Sequence, residues 1–309
     1  MATPRTILIA GPTASGKSAL ALAVARRIKN GVIVNADSMQ VYRDLRVLTA
    51  RPSIEDETGL PHALFGSVDG ADSYSVARYL DDARAVVASA RARDAIAIFV
   101  GGTGLYFKAL LEGLSPVPAI DLATRERVRK EAAALGAAHM HALLQQRDPE
   151  MADRLVPTDT QRITRALEVI EATGRSLAVW QRLPGVPVLA ADSTVRVVLM
   201  PERAALVARC DARLDAMIAG GAVDEVARLR ARHLASDLPV MRALGVAPLI
   251  AHLDGTLSLP AATERAKVET RQFVKRQVTW TKRHMITWNA ILTNEIERNS
   301  AKIISFIDC

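Results

Sequence analysis

The sequence holds little cysteine and no long apolar run, and both shortages narrow what the chain can be. Its 309 residues include two cysteines, Cys210 and Cys309, 99 positions apart. So sparse a set builds no disulfide framework, and no Cys/His spacing suits zinc. The six histidines are scattered. Only His139 and His141 are close, and two positions apart on a helix they point in different directions. No apolar stretch approaches the roughly 18–20 residues that span a bilayer. The N-terminal apolar run, residues 6–10, is too short for a signal-peptide core and leads directly into a glycine-rich loop. No membrane association is expected, and the cytoplasm is the expected compartment.

What is present has ordinary globular proportions. Hydrophobic residues make up 50% and charged residues 24%, which excludes a disordered or collagen-like chain. The length suggests about two domains. Net charge is +7 and the isoelectric point about 9.7, compatible with an acidic partner. The distribution says more. Between Arg271 and Arg283, five cations (Arg271, Lys275, Arg276, Lys282 and Arg283) occur with no acid. Polyanions such as nucleic acid or diphosphates are the natural partners of such a stretch.

The first hundred residues read as alternating strand and helix. Apolar runs at 6–10, 32–34 and 95–100 end in Gly11, in Asn35-Ala36-Asp37 and in Gly101-Gly102. Helical patterns over 17–28 and 75–93 separate them. Buried runs without alternation, separated by helices, predict a parallel sheet with helices on both faces. Pro/Gly breaks at 113–118 and 183–187 bracket a segment that reads only as helices, at 122–135, 139–146 and 161–173. A further strand is expected at 195–200, followed by helices to about Trp288. The expected architecture is an α/β core, 1–114 and 195–309, with an all-helical insertion over 115–194. The tail beyond Asn289 is weakly patterned.

Gly11-Pro12-Thr13-Ala14-Ser15-Gly16-Lys17-Ser18 fits the phosphate-binding loop G-x-x-x-x-G-K-[ST], with a strand before it and a helix after it. Consecutive amides and the helix N-terminus favour an anion, Lys17 adds a full positive charge, and the Ser18 hydroxyl is placed to ligate Mg²⁺. A chance Gly/Ser/Lys turn is improbable in this context, so diphosphate binding is expected. The second run ends in Asp37-Ser38-Met39-Gln40, and the third in Gly101-Gly102-Thr103-Gly104, whose glycines allow close approach of a ligand. Ligands bind outside the carboxyl ends of parallel strands, so the three loops predict one crevice. For Asp37 alone a helix-capping role has real weight. Gln161-Arg162-Ile163-Thr164-Arg165 starts a helix whose stripe Ile163, Ala166, Leu167 and Ile170 is apolar. Spacing alone makes its other side a solvated face with an Arg165–Glu168 pair.

In order and spacing, GPTASGKS, DSMQVY, GGTGLYFKALLEGL, DTQRITRALEV and TRQFVKRQVTW closely resemble the tRNA dimethylallyltransferase family, from Ile7 to about Trp288. The resemblance implies a P-loop NTPase-like sheet whose loop holds dimethylallyl diphosphate with Mg²⁺ rather than hydrolysing ATP. It implies transfer of the dimethylallyl group to N6 of the adenosine 3′ of the anticodon. Asp37 would be the general base, Thr103 would assist, and Arg213 would face the diphosphate. Ser38, Met39 and Gln40, with Asp37 and Thr103, would contact the tRNA anticodon stem-loop. So would Gln161 to Arg165, Arg242, Lys275 and Arg276. A monomer is expected.

The sequence departs from the family at Val246-Ala247-Pro248, where an aromatic and then a basic residue are usual, so a tRNA contact there is missing or made differently. Three other readings compete: an adenylate dimethylallyltransferase, a small-molecule or nucleotide kinase, and a nucleotide-regulated RNA-binding protein. The helical insertion favours tRNA over free nucleotide, and the crevice residues Asp37 and Thr103 favour an enzyme over a binding module.

Overall fold

The computed structural model describes residues 6–292 and 295–306, so Cys309 lies outside the described residues. The chain divides into two compact units. One comprises 1–111 and 188–309, and the other 112–187.

In chain order the first unit begins with β1 (Thr6–Ala10), α1 (Lys17–Arg27), β2 (Gly31–Asn35) and α2 (Ile54–Gly59). It continues through β3 (His62–Ala63), α3 (Val76–Ala92), β4 (Ile96–Gly101) and α4 (Gly104–Glu112). The described strands form one parallel sheet in the order β3-β2-β4-β1-β5-β6, with β5 at Thr194–Leu199 and β6 at Asn289–Ile291. β1 is buried at every residue, as a central strand covered on both faces must be. Its inward side chains, with Leu20, Val24 and Ile303, build the sheet core.

The helical unit holds α5 (Leu122–Arg147), α6 (Pro149–Arg154), α7 (Thr160–Thr173) and α8 (Leu177–Gln181). The two helices expected at 122–135 and 139–146 are one span interrupted at Gly136, whose φ of 76° and ψ of 174° are not helical. Its own core gathers Val128, Met140, Leu144, Ile163 and Leu167. Asp121, Asp148, Asp159 and Ser176 cap these helices by accepting backbone N–H bonds. The unit ends before the expected 194, because the Val188 and Leu189 amides both donate to the Leu110 carbonyl of the core, at 2.9 and 3.0 Å.

After β5 come α9 (Arg203–Ala219), α10 (Ala222–Ala231), α11 (Val246–Leu253), α12 (Leu259–His284) and α13 (Ile296–Ser305). β6 and α13 lie in the tail that shows little pattern in sequence. At the family departure, Val246 and Pro248 are buried while Ala247 is exposed. The position usually aromatic is therefore a packing site here, and the one usually basic faces outward as alanine. Among the described residues, no helix is long and apolar enough to cross a membrane.

Candidate active site

The ends of β2 and β4 are knitted together by short backbone bonds. The Ala36 amide donates to the Val100 carbonyl at 2.8 Å, and the Thr103 amide to the Ala36 carbonyl at 3.2 Å. A side chain at Gly101 would place its Cβ 2.0 Å from the Ala36 carbonyl oxygen, and one at Gly104 would sit 2.2 Å from the Trp280 ring. At Gly102 it would meet the Gln277 amide at 2.4 Å. These glycines admit the protein's own backbone and α12, and the same residues line a cavity beside Thr103 and Arg276.

The loop from Gly11 to Ser18 is shaped for an anion. Gly16 takes a φ of 90° before α1, no side chain caps that helix, and its first turn carries no acid. Its leading amides therefore lack partners within the helix and favour negative charge. Pro12, Ala14 and Ser15 are backbone contributors: the Ser15 amide donates to the Pro12 carbonyl at 3.2 Å, and Ala14 has a φ of 58°. The Lys17 ammonium donates to the same Pro12 carbonyl, also at 3.2 Å. Burial pushes Lys17 down to about 8, against the opposing pull of Asp37 and with the help of Arg213. Arg213, from α9, donates to the Thr13 hydroxyl, and burial also lowers its pKa.

Asp37 is presented by a turn that Asn35 builds. The buried Asn35 amide oxygen accepts from the Asp37 amide at 2.8 Å, and its nitrogen donates to the carbonyls of Asp37 and Leu64 at 2.9 and 3.1 Å. Asp37 Oδ1 accepts from the Met39 amide at 2.9 Å, which leaves Oδ2 free of hydrogen bonds among the described residues. The carboxylate lines two adjoining cavities. One, about 430 Å³, is formed by the phosphate loop with Lys17, Ser18, Gln40 and Arg213. The other, about 290 Å³, is mainly apolar and includes Ser38, Met39, Leu48, Met217, Arg242 and Phe273. Asp37, Thr13, Thr49 and Arg213 are common to both. A leaving anion and an apolar or aromatic partner can thus flank one carboxylate.

Other expected residues have structural engagements. The Thr103 hydroxyl accepts from the Ser38 amide at 2.9 Å and donates to the Ser38 hydroxyl at 3.3 Å. It lines a third cavity beside Arg276 rather than the two that hold Asp37. Gln40 spends its amide hydrogens on the Thr49 and Ala50 carbonyls, at 2.8 and 2.9 Å. In the helical unit Ile163 is wholly buried, so its side chain is core and offers no surface to tRNA. Gln161 and Arg162 are exposed, and Thr164 and Arg165 half-buried. Arg165 pairs with Glu168 at 3.3 Å and Arg129 shares that carboxylate at 3.0 Å.

The basic stretch lies on α12 and divides by face. Arg271 is bound to Asp211 at 2.7 Å and to Glu264 at 3.3 Å, which removes it from the free cations. Lys275, Arg276 and Arg283 instead line an open groove with Trp280 and His284, whose rings stack 4.4 Å apart. The opposite face carries a residue that sequence reasoning missed. Gln277, buried, accepts from the Thr13 amide at 2.9 Å and donates to the Gly102 carbonyl at 3.0 Å. It ties the phosphate loop to the β4 loop. The signal was a lone amide in the buried stripe Ala266, Thr270, Val274, Gln277 and Thr281. Glu225, also missed, accepts from the amides of Arg46, Val47 and Leu48 at 2.6 to 2.9 Å and so fixes one wall of the apolar cavity.

A parallel sheet with a phosphate loop after its central strand defines a P-loop α/β protein. Comparison with known proteins identifies the family. An IPP transferase family model matches residues 40–284, and an isopentenyl transferase model matches 4–62. The tRNA dimethylallyltransferase of Methylobacterium nodulans is 54% identical over 298 residues, covering 95% of this chain and 97% of that one. That of Rhodospirillum rubrum is 56% identical, covering 89% and 84%. Among solved structures, a tRNA isopentenylpyrophosphate transferase from Bacillus halodurans superposes with a TM-score of 0.70 at 29% identity, covering 99% of this chain and 97% of that one. A eukaryotic dimethylallyltransferase acting on tRNA gives 0.83 at 26%, covering 98% and 79%. The chain belongs to the tRNA dimethylallyltransferase family.

Proposed function

We propose that this chain transfers a dimethylallyl group from dimethylallyl diphosphate to N6 of the adenosine 3′-adjacent to the anticodon in tRNA, releasing diphosphate. The observation that carries the reading is Asp37 standing where the cationic phosphate cavity meets the apolar one. The allylic C–O bond breaks and its electron pair leaves with the diphosphate, whose growing charge Lys17 and Arg213 stabilise. The N6 amine forms the new C–N bond, and the free Oδ2 of Asp37 takes the proton it loses. The target base must leave its stack to reach such a crevice. Thr103 fixes Ser38 beside Asp37 and thereby steadies the base.

A magnesium ion suits the donors present. Mg²⁺ is ordinarily held by few protein oxygens together with substrate phosphates and water, and the Ser18 hydroxyl opens onto the same cavity as Asp37. Ser18 would hold it with diphosphate oxygens, where it would add to the neutralisation of the leaving group. All the proposed chemical groups come from one unit of one chain, which supports a monomer, and the tRNA substrate supports a cytoplasmic site of action.

A mass gain of one C₅H₈ unit on unmodified tRNA, given dimethylallyl diphosphate and Mg²⁺ without ATP, tests the reading. Transfer only to free adenylate would instead mark an adenylate dimethylallyltransferase, and a requirement for ATP a kinase.

Two further outcomes are expected. For tRNA affinity, log K falls linearly with log[salt], and replacing Lys275 and Arg276 together by alanine lowers the slope by roughly one to two units. An unchanged slope across a salt series would show that these exposed cations do not meet phosphates. The pH dependence follows from Lys17. A bound diphosphate favours its protonated form, so in the free protein, where its pKa is about 8, binding takes up a proton above that pH. Affinity for inorganic diphosphate therefore falls as pH rises through 8. Calorimetry in buffers of different ionisation enthalpy reads the uptake, and Lys17→Arg, charged throughout this range, removes it.

A further inference from the structure

We propose that Arg209 is a second arginine ligand of the diphosphate, reserved for the phosphate distant from the reacting carbon; the assignment rests on the reading of the phosphate loop given above. Among the described residues Arg209 makes neither ion pair nor hydrogen bond, and its Nε and Nη2 are buried without a partner. A guanidinium cannot shed its charge by losing a proton, and buried donors of this kind are almost always satisfied. Arg51, which also has a buried unpartnered Nε, spends its other nitrogens on the Tyr42 carbonyl and Glu57. Arg209 has no such outlet. The missing partner is an anion.

Its surroundings identify which anion. Arg209 stands one helical turn before Arg213 on α9, so both face the same way. Their neighbour Cys210 touches the Thr13 carbonyl through its thiol at 3.8 Å, which holds α9 against the phosphate loop. Arg209 lines the phosphate cavity together with Lys17 and Arg213. It also lines a small apolar recess of about 280 Å³ behind Ala14, Ser15 and Gly16. Ser15 supplies an independent sign, because it is only 1% exposed and its hydroxyl is likewise unpartnered. Two unmet polar side chains thus flank the same turn of the loop.

The two arginines are not equivalent. Arg213 also lines the apolar cavity beside Asp37, and Arg209 does not. Arg213 therefore serves the phosphate that carries the breaking C–O bond, and Arg209 the terminal one. With Lys17 they bring three positive charges to the cavity against the single negative charge of Asp37, an imbalance that a diphosphate corrects. A contact to the terminal phosphate is made before and during bond breaking alike, so its loss raises KM more than it lowers kcat, whereas loss of Arg213 lowers kcat.

The test is calorimetric titration of inorganic diphosphate into the full-length protein and its Arg209→Met and Arg209→Gln variants, with thermal unfolding of each unliganded protein. Arg209→Met is expected to weaken diphosphate binding about 10- to 100-fold, the effect of losing charge-assisted hydrogen bonds. Its unliganded melting temperature is expected to hold or rise, since an apolar chain replaces an unpartnered charge. Arg209→Gln, which keeps a polar side chain should methionine prevent folding, is judged by the same affinity. A dissociation constant within threefold of wild type overturns the assignment, and a larger increase supports it. Wild-type protein that fails to bind diphosphate overturns the phosphate-loop reading and the assignment together, whereas wild-type binding with an unaffected variant overturns the assignment alone.

Discussion

Lys17→Ala is expected to weaken diphosphate binding about 10- to 100-fold while leaving tRNA affinity within about twofold. Among the described residues the ammonium, at the head of α1, hydrogen-bonds to the Pro12 carbonyl of its own loop, so its removal severs no hydrogen bond to another element. Of the exposed cations proposed for tRNA, both on α12, Lys275 opens onto a different groove, and Arg276 lines that groove and the apolar cavity beside Asp37 but not the phosphate cavity. The stability effect has the opposite sign to the binding effect. Lys17 has a pKa of about 8 in the folded protein against 10.5 as a free side chain. At pH 7 the folded state therefore carries the full penalty of a desolvated charge, which is relieved only as pH rises from about 8 towards 10.5. Alanine removes that penalty at neutral pH. The unliganded variant should melt no lower than wild type while its response to diphosphate shrinks. Calorimetry with inorganic diphosphate and filter binding with an anticodon stem-loop read the two affinities separately. An equal loss of tRNA affinity would mean that the loop also holds the nucleic acid.

Much of this arrangement was legible in the sequence, for reasons that particular elements make plain. β1, β2 and β4 are buried on both faces and so appear as largely continuous apolar runs, and β5 is interrupted only by half-buried Arg196. β3, with two residues, and β6, with three, are too short to show a period, and pairing with a longer neighbour defines them. α13 could not be separated from a polar tail, because its buried face includes Asn299 and Ser300 as well as Ile303. The loop from Gly11 to Ser18 and the carboxylate at Asp37 were readable because their chemistry is local. Backbone amides, a lysine and an acid follow strand ends within a few residues. Arg209, Glu225 and Gln277 were not, because each acts on a segment far away in sequence. Gln277 reaches Thr13 across 264 positions, and its local sign, a lone amide in a buried stripe, does not tell which segment it meets. The glycines at 101, 102 and 104 were visible as a need for space: the protein's own backbone and α12 use part of it, and the same residues line a cavity beside Thr103.

Replacing Asp37 by asparagine should slow the chemical step by about 10²–10⁴-fold while leaving the binding of both substrates nearly unchanged. The structural duty of Asp37 is modest and asparagine can perform it. Oδ1 accepts the Met39 amide at 2.9 Å, a turn that an amide oxygen closes equally well. The backbone of Asp37 is held independently by Asn35. The apolar cavity keeps its shape, since the two side chains are nearly isosteric. What asparagine cannot do is take the proton that N6 loses as the C–N bond forms, and an amine attached to an aromatic ring is a weak nucleophile until that proton has somewhere to go. Substituting alanine would confuse this loss with collapse of the turn, so asparagine is the informative change. Single-turnover transfer with tRNA and dimethylallyl diphosphate both saturating isolates the step from binding and product release. A rate within a few-fold of wild type would remove Asp37 from proton transfer. Among the crevice groups, Thr103 is already engaged with Ser38, so a released diphosphate oxygen or water would then be the remaining acceptor.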